Sequence, residues 1–85
     1  MNKFNDTAQG KEEFTRAVSE LLKREPRSGV EEIKYFSKNY SEFVEITYKN
    51  GYVARICVNY NSNGAIFKEI AREVYGEGAY GKVEM

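Results

Sequence analysis

Apolar and polar residues alternate from Glu42 to Tyr60, with one interruption at Asn50-Gly51. Alternation with period two on both sides of such a dipeptide predicts a β-hairpin. The even-numbered positions Val44, Ile46, Tyr48, Tyr52, Ala54, Ile56, Val58 and Tyr60 are the more apolar set. Residues directly paired in an antiparallel ladder share a face, so the length of the turn decides whether these positions meet. A two-residue Asn50-Gly51 turn would set Ile46 against Arg55 and Glu45 against Ile56, which mixes the faces. A three-residue turn, Lys49-Asn50-Gly51, pairs Tyr48 with Tyr52, Ile46 with Ala54 and Val44 with Ile56. It also opposes Glu45 to Arg55 and Thr47 to Val53, both favourable cross-strand pairs. The three-residue turn is therefore predicted, with Gly51 in the left-handed position of a type I turn and G1 bulge.

Upstream, Phe14, Val18, Leu21 and Leu22 recur at helical spacing with Ala17 beside them, and predict a helix ending near Glu25. Asp6 or Thr7 supplies its N-cap, Gly10 weakens its first turns, and Pro26 stops it. Phe4 is placed to fold back onto this helix. A first strand follows from Val30 to Ser37, then a four-residue loop Lys38-Asn39-Tyr40-Ser41. That length pairs Ile33 with Ile46, Lys34 with Glu45, Tyr35 with Val44 and Phe36 with Phe43. After the hairpin, Asn61-Ser62-Asn63-Gly64 caps a second helix from about Ala65 to Tyr75, with an apolar stripe of Ile66, Phe67, Ile70, Ala71 and Val74. Gly76 ends it. Residues 1–76 thus form one α-β-β-β-α domain, and residues 77–85 a glycine-rich, flexible tail in which Tyr80 to Glu84 could add an edge strand.

Two amphipathic helices and one apolar sheet face give a two-layer α+β fold, a three-stranded antiparallel meander with both helices on one face. The other face then carries two rows: Lys34, Glu45 and Arg55, which alternate in charge, and Phe36, Phe43 and Cys57, with Val53 and Thr47 further along. Two large aromatics on such a face are covered by the C-terminal tail or the Phe4 region, or else mark a contact surface, for a partner or second copy ahead of stacked nucleic-acid bases. Lys34, Phe36, Phe43, Val53, Arg55 and Cys57 are its expected partner-binding residues, joined by Tyr40 in the first hairpin loop. Tyr35, Tyr48, Tyr52 and Tyr60 are expected at the rim of the core with hydroxyls reaching water.

Composition narrows the chemistry. Lys plus Arg and Asp plus Glu both number 13 among 85 residues, so the net charge is zero, which weighs against a nucleic-acid partner. The chain has no histidine, the commonest general base and metal ligand. The single Cys57 forms no internal disulfide and, with no base beside it, reads as a small hydrophobe. Neither an apolar run of membrane-spanning length nor a signal-peptide core occurs, so a cytoplasmic protein is expected, off the membrane. No catalytic, cofactor-binding or metal-binding residues are assigned.

Two resemblances bear on function. Gly76-Glu77-Gly78-Ala79-Tyr80-Gly81-Lys82-Val83 looks like the glycine-rich phosphate loop of protein kinases over eight residues. A kinase needs a β3 lysine, a catalytic-loop Asp and a metal-binding Asp after it, and none follows here. The α-β-β-β-α order, over roughly residues 11–75, is similar to the double-stranded-RNA-binding domain, and that resemblance implies duplex RNA as a partner. In that family the second helix opens with a basic cluster, whereas here Gly64-Ala65-Ile66-Phe67-Lys68 offers one lysine, followed by Glu69. Lys68 and Arg72 read instead as ion-pair partners of neighbouring glutamates. The expected function is a small non-enzymatic binding or regulatory protein that acts on a protein partner or as a homodimer, with nucleic-acid binding as the alternative.

Overall fold

The computed structural model describes residues 7–76, so Phe4, residues 77–85 and the expectations attached to them lie outside the described residues. The elements run α1 (Ala8–Arg24), β1 (Val30–Lys38), β2 (Ser41–Tyr48), β3 (Val53–Cys57) and α2 (Asn63–Tyr75). Thr7 is the N-cap of α1, its hydroxyl accepting from the Gly10 N–H at 3.1 Å, and the helix runs unbroken through Gly10. Ser62 caps α2 in the same way through the Ala65 N–H, which starts that helix at Asn63, two residues before the expected Ala65. Gly76 closes it at φ 76°, where a side chain would be strained.

The strands form one antiparallel sheet in the order β1-β2-β3. Between β2 and β3 every expected pair is present, from Phe43 with Cys57 to Thr47 with Val53. The turn is the three-residue one. Gly51 donates to the Tyr48 carbonyl at 2.9 Å, Tyr48 donates to the Tyr52 carbonyl at 2.8 Å, and Gly51 sits at φ 95°. The Asn50 side chain accepts from the Tyr52 N–H at 2.9 Å and stiffens the corner.

The β1–β2 register is also as expected, but its turn is not. Lys38 pairs with Ser41, and Asn39 and Tyr40 alone make the turn, at φ 51° and 66°. Two successive left-handed residues twist in the sense of the flanking strands and hold them together where a four-residue loop would let them part. A further difference lies at the start of β1. The register shifts between Val30 and Glu32, so one extra residue enters the strand. This bulge returns Val30, three residues before Ile33, to the same face, and both are buried.

That face is the core. Val30, Ile33, Val44, Ile46, Ala54 and Val58 pack with Val18 and Leu22 of α1 and Ile66 and Ile70 of α2 in one cluster, so both helices lie on the same side. Helix α1 packs along β1 and departs from the apolar stripe read in its sequence. Leu21 is 62% exposed, while Lys11, Thr15 and Ser19 are buried with Val18 and Leu22. On α2, Phe67 is exposed in the same way. The cause on α1 is its neighbour: β1 is an edge strand, and the helix beside it must meet polar groups. Ser19 accepts the Ile33 N–H at 2.9 Å. The Thr15 hydroxyl, fully buried, has no hydrogen-bond partner among the described residues. Replacing it by an isosteric methyl, Thr15→Val, is expected to raise stability by about 1 kcal/mol in denaturant titration.

Candidate functional site

With the core on one face, the other side of the sheet presents the expected rows. Phe36 and Phe43, paired across β1 and β2, stack with ring centroids 5.2 Å apart and planes 25° from parallel. Phe36 is exposed and Phe43 half-buried. The Arg55 guanidinium lies over the Phe43 ring, 5.3 Å from its centroid, and donates to Glu45 Oε2 at 2.7 Å. Both contacts follow from the turn, since Arg55 stands opposite Glu45 only if the Asn50-Gly51 corner holds three residues. A cation over a ring face draws on the ring quadrupole, and the carboxylate fixes the cation there.

Cys57, opposite Phe43, and Val53, opposite Thr47, are exposed along β3. Lys34 stands in register with Glu45 yet makes no ion pair among the described residues, so the expected three-member charge row is one pair plus an open lysine. Tyr40 lies at the hairpin tip, beyond the Ser37–Glu42 and Lys38–Ser41 pairs that follow Phe36 and Phe43, and is 95% exposed. All seven expected partner-binding residues therefore sit on the outer face or at its tip. On α2, Arg72 pairs with Glu69 at 3.3 Å, while Lys68 has no ion pair among the described residues.

A second cluster lies at the opposite surface of the same strands. Glu42 Oε1 accepts from Lys11 Nζ at 2.7 Å and from the Tyr35 hydroxyl at 2.9 Å, and its backbone N–H donates to the Asn59 side chain. Its carbonyl accepts from Val58 N–H at 2.8 Å. One residue thus joins α1, β1, β2 and the segment before α2. The Lys11 ammonium hydrogen-bonded to Glu42 holds that carboxyl below the usual range, against the opposing effect of burial. Burial, with the Glu42 contact added, pushes the Tyr35 hydroxyl up to about 12. The carboxylate takes donors from Lys11 and Tyr35 and a longer contact from the Tyr60 N–H at 3.4 Å, which favours its charged form, so the cluster ties elements together. Tyr35 therefore turns its hydroxyl to Glu42 instead of water. Burial likewise pushes Tyr48 up to about 12, its ring 5.8 Å from that of Tyr52. Tyr52 and Tyr60 are exposed well beyond a rim position, Tyr60 on a left-handed backbone at φ 61°.

Lys11 and Glu42 carry no periodic signal in the sequence, and only the register that brings Glu42 beside Tyr35 on the core face connects them. No group of three or more acidic or cysteine side chains among the described residues is arranged to hold a metal ion, and no helix there is long and apolar enough to cross a membrane. No protein-family model, curated protein or solved structure matches the chain.

Proposed function

We propose that this chain is a small non-enzymatic binding protein of the cytoplasm whose working surface is the outer face of the sheet, engaged by an apolar patch on a protein partner. The observation that carries the reading is the open Phe36–Phe43 stack with Arg55 held over it by Glu45. An aromatic pair in water is held by rigid strands on both sides, so docking costs little further side-chain entropy. Aromatics and arginine at the centre of a patch, with polar groups around it, are the composition from which most binding energy arises. Lys34 and Tyr40 supply the polar rim, and Val53 and Cys57 extend the apolar area.

The test compares the wild-type chain with Phe36→Ser/Phe43→Ser in pull-downs from the native host, then repeats the binding with the purified partner. Loss of roughly tenfold or more in affinity, with far-UV circular dichroism unchanged, is the expected result. Equal affinity of the two chains for that partner sinks the reading. Retention of RNA at low salt that fell on replacing Lys34, Arg55 or Lys68 would move the function to nucleic acid instead.

A further inference from the structure

The two edges of the sheet differ. Tyr48 N–H donates to the Tyr52 carbonyl and Val58 N–H to the Glu42 carbonyl, both at 2.8 Å. These bonds fix the phase of the β2–β3 ladder: Ala54 and Ile56 direct their amides to β2, and Val53, Arg55 and Cys57 direct theirs away from the sheet. Among the described residues no hydrogen bond takes those three outward N–H and C=O groups. On β1 the outward positions are Ile33, Tyr35 and Ser37, and among the described residues the Ile33 N–H is the one outward group with a hydrogen-bond partner, but the edge carries guards that β3 lacks. Ser19 takes the Ile33 N–H, the bulge between Val30 and Glu32 interrupts the ladder, and α1 lies alongside, so that Glu12, Arg16 and Ser19 line one groove with Lys34 and Tyr35. Strand β3 has none of these devices: its pairing is regular, it contains no proline, and its single charge, Arg55, is bonded to Glu45 of its own chain.

We infer that β3 is a self-pairing edge, to which a second copy of this chain adds its own β3 antiparallel, making one continuous six-stranded sheet. An antiparallel edge is self-complementary, because the outward residues of each copy meet the outward residues of the other about a two-fold axis. The same phase keeps Val53, Arg55 and Cys57 of both copies on the outer face and brings the half-buried Ile56 of both to the core side. Registers with Arg55 opposite Val53 or Cys57 of the second copy avoid facing two guanidinium groups. Charge does not oppose the approach, since each chain is neutral overall. The edge, made of backbone, is distinct from the aromatic face, and this inference does not depend on the function proposed above.

The experiment follows sedimentation and amide exchange of the full chain over a range of concentrations. A dimer is expected, with exchange at Val53, Arg55 and Cys57 slowing by about tenfold or more as it forms. Arg55→Pro, which removes an outward N–H at a position an edge strand tolerates, abolishes the dimer, whereas Arg55→Ala, which keeps that N–H, retains it. If Arg55→Pro does not fold, the wild-type exchange data decide. A monomer at all concentrations overturns the inference. So does a dimer that leaves the three amides unprotected, which would use another surface. Protection independent of concentration overturns it too, because the edge is then covered within one chain. Phe36→Ser/Phe43→Ser leaves this dimer intact, which separates its failure from that of the binding face.

Discussion

Lys11→Met lowers the stability of this protein by about 2 kcal/mol, more than a surface lysine would, because it strands a half-buried carboxylate. The Lys11 side chain is 8% exposed and Glu42 18%, and the two meet at 2.7 Å. Removing the ammonium leaves Glu42 with the Tyr35 hydroxyl and the 3.4 Å contact from the Tyr60 N–H as compensation. Lys11→Met/Glu42→Gln is expected to recover more than half of the loss, since a neutral amide keeps those two contacts without the uncompensated charge. Denaturant titration of the four members of this cycle measures the coupling. The dependence on pH has a definite sign. Glu42 titrates lower in the folded chain than its ordinary value of 4.5, so its contribution is full above that value and is lost as pH falls through the lower folded one. The wild-type chain therefore loses stability on acidification that Glu42→Gln does not, and acid unfolding followed by circular dichroism reads the difference.

Ile46→Ala costs about 3 kcal/mol, through lost burial plus the cavity that remains. Ile46 is wholly buried at the middle of the central strand, paired to Ile33 on one side and Ala54 on the other. Phe43→Ala, three residues away on the same strand, removes a larger side chain and is expected to cost under about 1.5 kcal/mol, because the ring faces solvent on one side. Chemical-denaturation midpoints of the two variants test the assignment of faces directly. A larger effect at Phe43 would mean that the outer face is covered and is not a contact surface.

The register of the sheet was legible because the constraint is one of parity. Only one turn length at Asn50-Gly51 brings Val44, Ile46, Ala54 and Ile56 to one side, and pairing within the first hairpin followed from the same alternation. The outer-face residues came with it, since a face is fixed once its opposite is. Helix α1 was legible in extent and misread in phase. A count of apolar residues favours Leu21, but α1 lies along an edge strand, where Ser19 takes the Ile33 N–H, and Lys11 reaches past it to Glu42 of β2, so this polar side of the helix is the buried one. The bulge at the start of β1 was hidden for a related reason: Val30 and Ile33 have opposite parity and share a face only through an inserted residue. The Asn39-Tyr40 turn escaped notice because tyrosine seldom occupies a left-handed position, whereas the Asn-Gly pair announces one.

The serine that takes the Ile33 amide has a consequence for how far assembly can go. A sheet with two open edges can add strands at both and grow into a fibril. Here one margin is guarded by a bulge, a serine and a helix alongside, and the other is bare among the described residues, so joining two copies at β3 uses up both bare margins and leaves guarded ones outside. If β3 pairs with itself, growth stops after a single addition. Replacing Ser19 would remove part of that terminator, and the hazard it exposes is polymerisation, not merely a looser helix.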